Sequence, residues 1–310
     1  MAESPSKKRQ ASFYMHSMLA GGIAGGVAKT AVAPLDRIKI LFQTHHHEYK
    51  QFSGDWRGVY HGLRHIIHSQ GFLALYRGNS LTLARAVPHA ALGYTVYDTV
   101  SQIMMPTPPD QTPFRRMVAG SIAGVSVLPI TYPFELARVR MAITTQRLAG
   151  RPSISQVFRH IYNEKPLLTP GGMANFYRGF AVTLAGTIPY RGGIFLAWET
   201  LNQYSNRHLS ARFRERHRHK LHLLIGAIAG TSAQIITYPL EVIRRIQQAG
   251  GHGLSNSNQP LGVCHTMSTI WRLNGWRGYY VGLGIGLIKQ VPMHSISLSV
   301  WQAAKTVLGI

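Results

Sequence analysis

The feature that most constrains this 310-residue chain is an internal repeat in three copies. Pro34-Leu35-Asp36-Arg37-Ile38-Lys39 returns as Pro133-Phe134-Glu135-Leu136-Ala137-Arg138 and again as Pro239-Leu240-Glu241-Val242-Ile243-Arg244. Each copy reads proline, any residue, acid, two residues, base. Small-residue pairs precede each proline by thirteen and nine positions: Gly21 and Gly25, Gly120 and Gly124, Gly226 and Gly230. A later marker keeps the same period: Tyr76-Arg77-Gly78, Tyr177-Arg178-Gly179 and Tyr280-Val281-Gly282, each followed ten residues on by Pro88, Pro189 or Pro292. A repeat of this kind defines the architecture before any domain is drawn.

The placement of charge says where such units belong. Residues 10–28, 117–134 and 221–240 contain no Asp, Glu, Lys or Arg. Each run approaches the roughly 20 residues that a helix needs to cross a hydrocarbon core. The three runs that begin near Gly78, Gly179 and Gly282 are interrupted by Arg85, Arg191 and Lys289. A lone cation at mid-membrane is costly, so these should face protein or water rather than lipid. The expected fold is therefore an all-α membrane protein of six spans, both termini on one side, with cations turned inward. Expected boundaries are a polar N-terminal segment at 1–12, repeats at 13–105, 112–206 and 221–310, and a basic connector at 207–220. Short amphipathic helices are expected near 59–69, 154–163 and 262–273. A mean hydropathy near zero would suggest a soluble protein, but it averages over this segregation. The net charge of +22 calls for an anionic partner.

The helical pattern runs about ten residues past each repeat proline, so each proline is read as a kink rather than a stop. Three kinked helices related by threefold repetition should converge at one end. The acid and base of each motif should then pair in a cycle: Asp36 with Arg138, Glu135 with Arg244, Glu241 with Lys39. Gln43 and Gln248 are placed to brace that ring, and the ring can open and close as a gate. The glycine pairs read as sites of close helix packing. The aromatic-base-glycine markers stand at helix starts, where backbone amides bind anions. Tyr76, Arg77, Gly78, Tyr177, Arg178 and Gly179 are therefore candidate lipid contacts, or simple anchors with snorkelling arginines.

Arg85, Gly186-Thr187 and Lys289 each begin seven residues after a marker glycine, at equal depth on related helices. Arg191 and Lys29 add charge nearby. Few acids share that depth on these helices, so the cations are expected to be free for a polyanionic ligand, with Tyr190 offering a stacking face. Asp98, Glu199 and Lys305 recur near the far ends of the same helices and form a weaker second gate. His45-His46-His47 reads as a solvated loop, with no metal expected. No catalytic triad, phosphate loop or zinc spacing is present, so neither an enzyme nor a cofactor is expected. A basic nucleic-acid-binding protein is the alternative from a different class, and its binding would fall steeply with salt.

Over nearly the whole chain these motifs resemble the mitochondrial carrier family. That resemblance implies a pseudo-threefold six-helix barrel with three short matrix-side helices, monomeric, in the mitochondrial inner membrane, with no nucleic acid partner. It implies alternation between cytosol-open and matrix-open states, and bound anionic lipid such as cardiolipin. It makes the proline-acid-base ring (Pro34, Asp36, Lys39, Pro133, Glu135, Arg138, Pro239, Glu241, Arg244) the matrix gate and Asp98, Glu199 and Lys305 a depleted cytosolic gate. It makes Arg85, Gly186-Thr187 with Arg191, and Lys289 the solute contacts. Lys29-Thr30-Ala31-Val32-Ala33-Pro34 is similar to adenine-nucleotide carriers, while the wider segment from Ala20 to Lys39 resembles the coenzyme A branch. The implied solute is coenzyme A or a close relative, with ADP/ATP or ATP-Mg/phosphate exchange as the alternative. Departures from the family pattern are Gln70 and Gly171 where an acid is usual, Leu41 where a base is common, and Val281 for the usual base.

Overall fold

The computed structural model describes residues 5–107, 112–145, 153–164, 172–250 and 262–308. Pro108-Pro109 in the first link, Gly171, and the Gly/Asn/Ser loop at 251–261 lie outside the described residues. The described chain is helical throughout, with no strand among the described residues. Three long helices carry the repeat prolines: α1 (Pro5–Gln43), α4 (Pro113–Ile143) and α8 (Arg218–Gln248). Three short amphipathic helices follow them: α2 (Trp56–Gln70), α5 (Ile154–Asn163) and α9 (Val263–Asn274). Then come α3 (Asn79–Met104), α6 (Phe180–His208), and the pair α10 (Leu283–Ile288) and α11 (Gln290–Leu308). The expected basic connector at 207–220 is shared between the end of α6, the short α7 (Ala211–Arg216) and the start of α8.

The long helices touch in a closed cycle: α1 with α3, α3 with α4, α4 with α6, α6 with α8, α8 with α10, and α10 and α11 with α1. Outward faces are apolar, with Val87, Ile130, Ile188, Ile236 and Leu298 all more than half exposed. An exposed apolar surface of this extent marks contact with something other than water. Among the described residues three segments are long and apolar enough to cross a membrane: Phe114–Ile143, Gly172–His208 and Lys220–Gln248. Their counterparts carry more polar load: α3 holds Arg85, His89 and Asp98, and α11 is only 19 residues long.

Three features differ from the sequence expectation. Helix α1 starts at Pro5 rather than near residue 13, since Pro5 suits a first helical position and Lys7, Lys8, Arg9 and Gln10 are good helix formers. The last long segment is divided at Lys289 into α10 and α11, whereas α3 and α6 continue through Pro88 and Pro189 at the matching position. The glycine pairs are not uniformly packed: a side chain at Gly21, Gly25 or Gly230 would meet nothing within 4 Å, whereas at Gly124 or Gly226 it would press on Arg191 or Trp198 of α6. These glycines stand fifteen and eleven residues before the ring acid, so they share its inward face. The packed stripe lies one position earlier, at Ala20, Ala24 and Ala28, at Ala119 and Ala123, and at Ala229 and Ala233.

The marker glycines are true backbone requirements. Gly78, Gly179 and Gly282 cap α3, α6 and α10 in the left-handed region, with φ of 87°, 78° and 81°. Each also presses on the proline-bearing helix of the next repeat; a side chain at Gly78 would sit 2.9 Å from the Arg138 carbonyl.

Most of the buried core lies at this end, in three clusters around the segments that follow the prolines. The seams between repeats there differ. Buried Arg37 donates to the carbonyls of Ala142 (3.0 Å) and Thr144 (3.2 Å) and to Gln70, which Arg77 also reaches. At the next seam Arg140 donates to the Ala249 carbonyl (2.8 Å) and pairs with Glu164, which also holds Arg178. The base missing at Leu41 and the acid missing at Gln70 are thus compensated together by Arg37. The third seam is a neutral contact, Asn274 with His45 Nδ1 at 3.1 Å. His45 is therefore buried rather than part of a solvated loop, and among the described residues no metal-ligating cluster forms.

Burial, and then the charge of Lys50, push the His45 imidazole down to about 4. The folded protein thus keeps His45 neutral while the unfolded chain takes a proton below about 6.5. Stability should be full above that pH and fall by up to ~3 kcal/mol as pH drops toward 4. Detergent-solubilised His45→Asn protein should show a flatter dependence of melting temperature on pH across that window; an unchanged slope would rule out His45 as its source.

Candidate functional site

The post-proline ends of α1, α4 and α8 converge, and their charged side chains form a cycle. Arg138 of α4 pairs with Asp36 of α1 at 2.7 Å, and Lys39 of α1 with Glu241 of α8 at 2.8 Å. Arg244 of α8 pairs with Glu135 of α4, closing the ring. Each acid lies two residues past its proline and each base five, so both project toward the same axis.

The cations expected to be free are not free. Lys289 reaches Asp36 at 2.5 Å, and Arg85 reaches Glu135 at 2.9 Å. Their partners sit on the neighbouring proline-bearing helices rather than on their own, and the long side chains extend down to them. Arg245, unremarked in the sequence, also approaches Glu135 at 3.3 Å. Among the described residues six cations therefore share three carboxylates. Gln43 donates to the Tyr238 hydroxyl (2.9 Å) and Gln248 to that of Tyr132 (3.1 Å). Those hydroxyls donate onward to the carbonyls of Val281 and Arg178. The tyrosines before Pro133 and Pro239 thereby tie the ring to the marker segments. Their place before each motif was a signal, but Ala33 in the first copy hides it.

Above the ring lies a cavity of about 440 Å³. It gathers Gly186, Thr187, Tyr190 and Lys289 with the ring residues Lys39, Glu241 and Arg244. Gln234, Gln290 and His294 also line it, and sequence reasoning missed all three. Lys29, Arg85 and Arg191 are not part of its wall. Arg85 lies against Glu135, Lys29 within the field of Arg85, Arg138 and Asp36, and Arg191 against the Gly120 carbonyl at 3.2 Å.

At the opposite end Asp98, Glu199 and Lys305 do not meet. Asp98 accepts from Gln102, Glu199 from Gln203, and Lys305 lies 4.4 Å over the Trp301 ring. One end of the interior is thus closed by inter-repeat ion pairs while these charges at the other remain apart. The marker arginines do not snorkel: Arg77 donates to the Thr144 carbonyl (2.7 Å) and Arg178 pairs with Glu164 (2.5 Å). Tyr177 donates to the Pro129 carbonyl (3.1 Å), and Tyr76 packs beside Phe72.

An apolar exterior around a charged, one-end-closed interior defines an integral membrane protein built to pass something polar. Three stretches match the family described as mitochondrial carrier protein, at residues 10–107, 109–209 and 217–310. A mitochondrial carrier of Schizosaccharomyces pombe is 38% identical, covering 96% of this chain and 95% of its own. Mitochondrial carrier protein LEU5 of Saccharomyces cerevisiae is 34% identical over 96% of this chain and 91% of its own. The human mitochondrial coenzyme A transporter SLC25A42 is 34% identical over 99% and 92%. The chain belongs to the mitochondrial carrier family. It is a transporter, not an enzyme, and a multi-pass protein of the mitochondrial inner membrane.

Removing one partner of a buried ion pair costs about 3–5 kcal/mol, because the other is left uncompensated. Lys39→Glu and Glu241→Lys should each lower the melting temperature markedly, and the double exchange should recover most of the loss. The Asp36→Arg, Arg138→Asp exchange should recover less, because Lys289 would then face an arginine. Equal recovery in both exchanges would contradict the observed second partner of Asp36.

Proposed function

We propose that the six long segments are membrane spans forming a pseudo-threefold barrel, with α2, α5 and α9 on the matrix side. In this reading the protein, as a monomer, moves coenzyme A, or a close adenine 3′,5′-phosphate compound, into the matrix by alternating access. The observation that carries it is the surplus of cations on the ring: six bases on three acids. A multiply charged anion entering from the open end competes with Asp36 and Glu135 for Lys289 and Arg85. Withdrawing those two cations leaves the ring acids with fewer partners and weakens the matrix gate, to which Gln43 and Gln248 add their hydrogen bonds. Closing the other end would bring Asp98, Glu199 and Lys305 together, where a single cation can pair with only part of the acid charge.

Lys29, Arg85, Arg191 and Lys289 bind phosphates in this reading. Gly186 and Thr187 receive the adenine, with Tyr190 as a stacking face on the same cavity wall. The name of the human relative supports coenzyme A over an ADP/ATP or ATP-Mg/phosphate exchanger. Anionic lipid such as cardiolipin would meet the backbone amides that open α3 and α6 beside Gly78 and Gly179, rather than the inward-turned Arg77 and Arg178.

A thermal-shift series tests the solute, since a ligand that binds the folded state raises apparent stability. Coenzyme A should raise the melting temperature more than ADP or ATP does, and added cardiolipin should raise it independently. In proteoliposomes Arg85→Ala or Lys289→Ala should cut coenzyme A uptake about ten-fold or more. Uptake at the parental rate would refute those roles, and a shift with ADP and ATP alone would favour the nucleotide exchanger.

A further inference from the structure

The inward face of α4 carries Gly120, Gly124, Thr131 and Glu135 in one helical stripe. Three basic side chains from neighbouring helices rest on it in descending order. Arg191 from α6 donates to the Gly120 carbonyl and lies across Gly124, where a Cβ would stand 2.5 Å from its guanidinium nitrogen. His89 from α3 places Nδ1 3.3 Å from the Thr131 hydroxyl. Arg85, one turn earlier on α3, meets Glu135. The charges of Lys29, Arg85 and Arg191 all act on His89, so these groups form one neighbourhood. At 1.5 Å per residue, Gly124 stands about 16 Å above Glu135. The corresponding glycines on the other two helices, Gly25 and Gly230, face open space, so only α4 has its glycine covered by a cation. Unlike Arg85 and Lys289, Arg191 has no carboxylate partner among the described residues: its bond is to a backbone carbonyl, and it does not line the 440 Å³ cavity.

We propose that Arg191, seated on Gly120 and Gly124 with His89 beneath it, is a second anion subsite that receives a phosphomonoester. Resting on the coenzyme A reading, this assigns the 3′-phosphate to Arg191 and His89 and the diphosphate to Arg85 and Lys289. The ribose carries those two groups on different carbons, which suits two separated basic centres better than one. Arg191 then determines specificity between solutes that have and lack the 3′-phosphate, while Arg85 and Lys289 serve both.

The test compares initial uptake of coenzyme A and dephospho-coenzyme A into proteoliposomes. The parental protein should prefer coenzyme A, and Arg191→Gln should reduce that preference about ten-fold, lowering uptake of coenzyme A far more than that of dephospho-coenzyme A. Gly124→Ala provides an independent variant: its methyl group displaces only the tip of a flexible side chain, so the fold is kept while the subsite is disturbed, and the preference should fall in the same direction. An equal loss for both solutes, or an unchanged preference in both variants, overturns the subsite. Parental protein that moves neither solute refutes the coenzyme A reading itself, a result distinct from altered selectivity.

Discussion

The structure depends on how charge is kept inside a membrane protein without being neutralised. Burying an ion is costly, and a buried pair offsets that cost only with good geometry and further hydrogen bonds. Here three carboxylates each hold a base from an adjacent repeat, and Asp36 and Glu135 hold additional cations from elsewhere. The pairs fasten α1, α4 and α8 at one end, where the core also lies. Because cations outnumber acids, the arrangement is held together and yet remains attractive to an anion. In the proposed reading, closure and ligand attraction come from the same side chains.

Around that ring the chain uses small residues and kinks in a consistent way. Alanines on the packed face let neighbouring helices approach, whereas the glycines one position later leave open space or, at Gly124 and Gly226, seat a side chain of α6. Each marker glycine adopts a conformation that a larger residue resists and contacts the next repeat just where its base departs. The three seams are equivalent in position but not in chemistry: arginine with glutamine, arginine with glutamate, and a neutral His45–Asn274 contact.

Much of this was legible in the sequence. The period of the motif places Asp36 beside Arg138 and Lys39 beside Glu241, because spacing along a helix fixes direction. Reach across helices was not legible. Nothing local to α3 or to the junction of α10 and α11 indicates that Arg85 and Lys289 extend to acids on other repeats, or that Arg245 joins them. Arg37 was hidden for a related reason, since its task is done in the second repeat by Arg140 at a different offset. The glycine pairs misled because small-xxx-small spacing is shared by packing faces and by open ones; counting from the pair to the ring acid separates the two. Asp98, Glu199 and Lys305 recur in register, yet side chains at a splayed end need not touch.

The central claim is that ion pairs close one end while the other stands open, and that an anionic solute reverses this. Spin labels placed in pairs on α1 and α4, once beyond the ring and once near the level of Asp98, would report both ends, after replacement of the exposed Cys264. Double electron–electron resonance with and without coenzyme A should show the ring-end distance lengthening as the opposite distance shortens. Distances that do not respond, or that change in the same direction at both ends, would contradict the account.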